Sequence, residues 1–133
     1  MTILETTATQ LDDDLLAVLG RQFSASPHPM WVFDQTSLAF LAVNDAALRQ
    51  YGYSRAEFLS MTILDIRPPE DIPQVLCNAL RPHTATGQPE RWRHRTKSGE
   101  IVEVEVVGVS VIFDNRLAQL VTVYPRRRAA SVN

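Results

Sequence analysis

Arg91-Trp92-Arg93-His94-Arg95-Thr96-Lys97-Ser98-Gly99-Glu100-Ile101-Val102-Glu103-Val104-Glu105-Val106 reads as a β-hairpin whose charges set its register. A three-residue loop, Lys97-Ser98-Gly99, with Gly99 in the left-handed conformation, puts Thr96 opposite Glu100, Arg95 opposite Ile101 and His94 opposite Val102. Arg93 then faces Glu103, Trp92 faces Val104 and Arg91 faces Glu105. Arg91, Arg93, Arg95, Glu103 and Glu105 share one face, and Trp92, His94, Val102, Val104 and Val106 share the other. A two-residue loop would set Arg93 against Val104 and Trp92 against Glu105, mixing the faces. Cross-strand pairs of opposite charge and of like hydrophobicity favour the first register. The pattern predicts a sheet with one apolar face that carries an indole and an imidazole.

Downstream, the second strand of the hairpin is expected to run to about Phe113, Asp114-Asn115 to turn, and Leu117–Tyr124 to return, giving an antiparallel meander. Upstream, Arg81 to Pro89 reads as a loop after a helix from Ile72 to about Leu80, capped by Asp71 with Pro73 in its first turn. Ser54 and Glu57 form a capping box for a short helix Arg55–Leu59. Asn44 caps the helix Asp45 to Tyr51, which Gly52 closes. Met30-Trp31-Val32-Phe33 and Leu38 to Val43 read as strands joined by the turn Asp34-Gln35-Thr36-Ser37. Residues 11–24 suit an amphipathic helix, with Asp12, Asp13 and Asp14 in its first turn and Leu11, Leu15, Val18 and Leu19 along one stripe. Pro27 and Pro29 stop it. The polar, Thr-rich residues 1–10 are expected to be disordered, and 125–133 to be a tail or linker. The order is a leading helix, two strands, three helices and three strands, an α+β architecture of an antiparallel sheet with helices on one face.

The chain has 133 residues, a length for one domain. Folding at this size buries roughly two-thirds of the unfolded chain's surface. With 45% hydrophobic residues, 21% charged residues and a formal net charge of -2, the chain has no general attraction to nucleic acid or to anionic membrane. No apolar run approaches the roughly 18 residues that span a bilayer. The N-terminus lacks the basic-then-apolar pattern of a signal peptide, and Cys77 is alone, so no internal disulfide forms. A cytoplasmic location is expected, with neither nucleic acid nor membrane as a partner.

Several segments together resemble the PAS domain family: Trp31-Val32-Phe33-Asp34, Val43-Asn44-Asp45-Ala46-Ala47, Tyr51-Gly52-Tyr53-Ser54-Arg55-Ala56-Glu57-Phe58-Leu59, Ile63-Leu64-Asp65-Ile66 with Pro69-Glu70-Asp71, and Arg93-His94-Arg95-Thr96-Lys97-Ser98-Gly99-Glu100. The resemblance spans about residues 27–124. It implies a five-stranded antiparallel sheet cupping a pocket with the helices, flanked here by the N-terminal helix. It also implies a sensory or interaction role in a signalling protein, such as a bacterial two-component system, often as a dimer. One departure stands at the end: where the family commonly has an Asp-Ile-Thr-like segment leading to an output helix, this chain reads Val123-Tyr124-Pro125-Arg126. Proline there blocks direct continuation into a helix.

The pocket walls expected on this reading are Phe33, Phe40, Leu48, Tyr51, Phe58, Leu64, Leu76, Trp92, His94, Val104 and Val121, with His94 the first choice for a ligand contact. His83 stands near where the resemblance would place an axial histidine of haem sensors. However, Pro82 precedes it and the segment around it is polar, whereas haem needs an apolar pocket, so a surface histidine is expected. Cys77 lies away from the cysteine positions of flavin or yellow-protein photosensors, and the Asn-Cys-Arg-Phe run that accompanies flavin is absent; a small buried thiol is expected. Neither haem nor flavin is thus favoured, and no cofactor is named. Asp34, Asp65, Glu70 and Asp71 read as turn and capping acids rather than catalytic or metal groups. No metal or hydrolase motif is present. Arg126-Arg127-Arg128 reads as a solvated tail.

Leu15, Leu19 and Phe23 of the leading helix form a candidate homodimer interface with the outer sheet face; the alternative is that this helix folds back on its own sheet. The expected function is a non-enzymatic sensor module that binds a small organic molecule and signals to an effector domain or partner. A ligand-free interaction domain with a filled core is the second reading. A small α+β isomerase is the third, and it would need a buried acid in an apolar cavity.

Overall fold

A computed structural model describes residues 9–10, 20–80 and 88–125. Six strands make one sheet: β1 (Thr9–Gln10), β2 (Met30–Asp34), β3 (Phe40–Val43), β4 (Glu90–Arg95), β5 (Ile101–Phe113) and β6 (Arg116–Pro125). Five are antiparallel, in the order β4-β5-β6-β2-β3. Between β3 and β4 come α1 (Asp45–Tyr51), α2 (Arg55–Leu59), two 3-10 turns (Ile63–Ile66 and Pro69–Asp71) and α3 (Ile72–Leu80).

The hairpin register follows its charges: Arg91 pairs with Glu105, Trp92 with Val104, Arg93 with Glu103, His94 with Val102 and Arg95 with Ile101. Gly99 has φ 95° and its N–H donates to the Thr96 carbonyl at 2.9 Å, closing the three-residue loop. Asp114 and Asn115, both at positive φ, turn β5 into β6. The caps also form as expected. The Asn44 side chain accepts from the Ala47 N–H, Gly52 ends α1 at φ 85°, and Ser54 and Glu57 complete a reciprocal capping box.

Three details differ from the sequence expectations. The second strand begins at Phe40 rather than Leu38, because Leu38 lies at φ 67° and prolongs the turn, its N–H donating to the Asp34 carbonyl. A left-handed leucine costs roughly 1–2 kcal/mol, which burial of the Leu38 side chain offsets. Thr9–Gln10, inside the stretch expected to be disordered, pair in parallel with Val111 and Ile112. β4 covers Ile101–Val106 of the long strand β5, and β1 takes Val111 and Ile112 further along it. Asp71, expected as the cap of α3, also holds the edge strand: its carboxylate takes Arg93 Nε at 3.0 Å and Nη2 at 2.8 Å, tying β4 to the helical layer. Cys77 is exposed on α3 rather than buried.

The sheet separates two apolar clusters. On the inner face Trp31, Phe40, Val104, Val121 and Val123 meet Tyr51, Phe58, Ile63, Ile66 and Val75 of the helical layer. A register shift between Val32 and Phe33 in the β2–β3 pairing lets Phe40 and Val43 both reach that face across an otherwise continuous apolar run. On the outer face Val32, Val111 and Ala118 gather Phe23, Leu41, Ala42, Phe113 and Leu120. Residues 20–25 are helical, and Phe23 packs on the outer face of its own sheet. Leu15, Leu19 and the rest of 11–19 lie outside the described residues, as do His83 and Arg126-Arg127-Arg128.

Candidate ligand cavity and its buried arginine

The inner core has a filled half and a hollow half. In the filled half Trp31, Phe40, Tyr51 and Phe58 pack edge to face at centroid distances of 5.0 to 6.1 Å. His94 joins them, 5.6 Å from Tyr51 and 5.7 Å from Trp31. Its Nδ1 shares a 2.5 Å hydrogen bond with the Tyr51 hydroxyl. Among the described residues its Nε2, though buried, has no hydrogen-bond partner. Burial foremost, and then the nearby Arg67 charge, hold the imidazole pKa well below 6.5, so His94 is neutral at pH 7. Burial likewise raises the Tyr51 hydroxyl above its ordinary range.

The hollow half is a cavity of about 140 Å³ between the sheet and α3. Trp31, Phe33, Trp92, Val106 and Val121 form its apolar floor, with Ile63, Val75 and Ala79 above. Gln35, Asn78, Gln88 and Gln119 add amides, and Arg67 adds a guanidinium. Gln119 Nε2 donates to Gln35 Oε1 at 2.9 Å, bridging β6 to the turn after β2. Gly108 makes room for it: a Cβ there would stand 3.0 Å from Gln119 Oε1.

Arg67 is the unusual wall. It follows the 3-10 turn Ile63–Ile66 at φ -117° and ψ 147°, the extended conformation that a following proline favours. Pro68 and Pro69 then carry the chain into α3. Ile66 and Pro68 are fully buried on either side, so the arginine is drawn inward and is only 7% exposed. Its guanidinium carbon lies 4.9 Å from the Trp92 ring centroid, a cation–π contact. Among the described residues neither its Nε nor its Nη1 has a hydrogen-bond partner. Burial lowers its pKa to about 10, with the charges of Asp71 and Glu90 acting the other way, so it remains a cation at pH 7. A buried N–H group left without an acceptor costs roughly 1–3 kcal/mol. Of the acids, Asp71 is engaged by Arg93, and Glu90, exposed at the edge of the cavity, takes the Trp92 indole N–H at 3.3 Å.

Of the residues expected to line a pocket, Phe33, Trp92 and Val121 line this cavity. Phe40, Tyr51, Phe58, His94 and Val104 are fully buried on the sheet's helical side, and Leu48, Leu64 and Leu76 pack against that core half-buried. Arg67 is not singled out by the sequence pattern. The one signal for it is an arginine set inside an apolar run, Ile63-Leu64-Asp65-Ile66-Arg67-Pro68, just before a proline pair. The acids fall into structural roles. Asp34 accepts the Thr36 and Ser37 N–H groups and Arg116, which hold its carboxyl below the usual range. Asp65 completes a capping box with Thr62, and Glu70 joins Asp71 on Arg93. Among the described residues no cluster of three or more His, Cys, Asp or Glu could hold a metal ion, and no helix is long and apolar enough to cross a membrane.

Several solved structures share this arrangement. The PAS domain of an HTR-like protein from Haloarcula marismortui is 18% identical, with 86% of this chain and 93% of that chain covered at a TM-score of 0.72. A PAS domain from a two-component sensor histidine kinase is 24% identical, with 86% and 100% covered at 0.63. The LOV protein of Rhodobacter sphaeroides is 14% identical, with 91% and 72% covered at 0.69. At these identities the likeness is one of fold. No curated protein matches the chain by sequence. The family model for the PAS domain matches residues 27–123, most of the 133, and the chain belongs to the PAS domain family.

Proposed function

We propose that the chain is a cytoplasmic, non-enzymatic sensor module of a signalling protein, which takes a small organic molecule into the cavity between its sheet and α3. The observation that carries this reading is the cavity of about 140 Å³ with Arg67 in its wall, since a domain built only for contact gains stability by filling such a space. The kinship to a sensor histidine kinase PAS domain supports the signalling context. Occupancy would shift the population between arrangements of α3, sheet and flanking helix, and so bias a homodimer and an effector domain or signalling partner. Leu15, Leu19 and Phe23 with the outer sheet face are the proposed dimer contacts, and exposed Val109 leaves apolar surface there.

Native mass spectrometry and a thermal-shift screen of chemically diverse small molecules, on wild type and Trp92→Ala, test the reading. The expected result is an adduct, or a rise of a few degrees in wild type that shrinks in the variant. No adduct and no shift from any class would leave a ligand-free interaction domain as the better description.

A further inference from the structure

Arg67 says more than that a ligand binds; it says which end of the ligand carries charge. Its Nε bears one N–H and its Nη1 two, all turned away from water and none met by an acceptor among the described residues. The Trp92 ring lies beneath the guanidinium carbon at 4.9 Å and offers it no oxygen or nitrogen acceptor. A neutral polar molecule or trapped water would satisfy the N–H groups, whereas an anion meets them with stronger, charge-assisted bonds and completes the partial balance that the Asp71 and Glu90 charges give the guanidinium. The rest of the cavity sets the body of that anion. Trp31, Phe33 and Val121 offer apolar surface, and the volume of about 140 Å³ is close to the roughly 150 Å³ of a cavity that accepts benzene. Phosphate or sulfate would gain nothing from those walls.

We infer that the ligand of this cavity is a small monocarboxylate with a compact apolar or aromatic body, its carboxylate on Arg67 and its body against Trp31, Phe33 and Val121. The inference rests on the sensor reading above and names the chemical class that the site selects. Arg67 is then both the specificity-determining contact and the switch: binding gives the unmet Nε and Nη1 of a buried cation an anionic partner beside α3. The nearby acids sharpen the selection. Asp71 is held by Arg93 and Glu90 stands at the exposed edge, so a dicarboxylate would bring its second charge against Glu90 or into the apolar end.

Isothermal titration of the full chain with benzoate and benzamide, and with butyrate and butyramide, tests this directly because each pair keeps one body and shape while the amide loses the charge and exchanges one acceptor oxygen for an NH2 donor. The expected result is that at least one acid binds about tenfold or more tightly than its amide. In Arg67→Met, which keeps the apolar stem over Trp92, that preference disappears. If the variant does not fold, the comparison in wild type alone decides. Amides that bind as well as their acids, a preference retained in Arg67→Met, or no binding of either acid would each overturn the inference. If neutral molecules from the diverse screen still bind, the sensor reading survives that failure; if nothing binds, both fall.

Discussion

His94 is legible in the sequence and yet its consequence is not. The hairpin register alone turns its ring inward beside Trp92, and the structure buries it fully. Only the packing shows that Nδ1 meets Tyr51 and that burial and the Arg67 charge keep the ring neutral. The unfolded chain protonates this histidine below about pH 6.5, where the folded chain refuses the proton. Stability therefore falls as pH drops from about 6.5 toward the folded value, by at most about 1.4 kcal/mol per pH unit from this group. Urea melts between pH 7 and pH 5 should show that slope in wild type and a shallower one in His94→Leu; equal slopes would contradict the neutral, desolvated imidazole. Arg67 is the converse case. Its identity is plain, but an arginine before two prolines reads as a connector, and no periodicity reports that Ile66 and Pro68 pull it inside.

Elements were readable wherever a local rule fixes them. Caps, turns and the hairpin depend on a few adjacent side chains, so Asn44, Gly52, Ser54 with Glu57 and Gly99 could be assigned from residue type and spacing. Asn44 does more than cap. Its Oδ1 accepts the Ala47 and Met30 N–H groups, and its Nδ2 donates to the Phe23 and His28 carbonyls, joining α1, β2 and the flanking helix. Asn44→Ala should cost at least about 2 kcal/mol in urea unfolding, because several buried backbone groups lose partners at once. Asn44→Asp, which keeps the acceptor and loses the donor, should fall between; a loss under about 0.5 kcal/mol for the alanine variant would contradict the joint. At Gly99 a Cβ meets nothing within 4 Å, so only the backbone at φ 95° resists substitution. Gly99→Ala should lose about 1 kcal/mol and Gly99→Asn less, measured in the same way. What the sequence hid at this scale was non-local. The left-handed Leu38 and the parallel pairing of Thr9–Gln10 depend on partners far along the chain.

At the scale of the whole molecule the sheet has two working faces. The outer face gathers Phe23 with Val32, Val111 and Ala118, and leaves Val109 42% exposed. If that face and the leading helix form a homodimer, size-exclusion with light scattering should give a dimer mass for wild type and a monomer mass for the Leu15→Asp, Leu19→Asp variant; an unchanged mass would sink the proposed interface. The inner face holds the division that matters for function, a solid aromatic half beside a hollow half. Sequence periodicity could name the residues of that face but not divide it, because void volume is set by how side chains from five strands and several helical segments meet. Hence Phe33, Trp92 and Val121 reach the cavity while Phe40, Tyr51 and Phe58 fill the core beside it. The most direct test of a ligand-accepting cavity is amide nuclear magnetic resonance of the full chain titrated with small aromatic and aliphatic acids and amides. Saturable shifts concentrated at Val106, Gly108, Gln119 and Asn78 are predicted; no shifts with any of these molecules, or shifts confined to Val109, Val111 and the rest of the outer face, would contradict it.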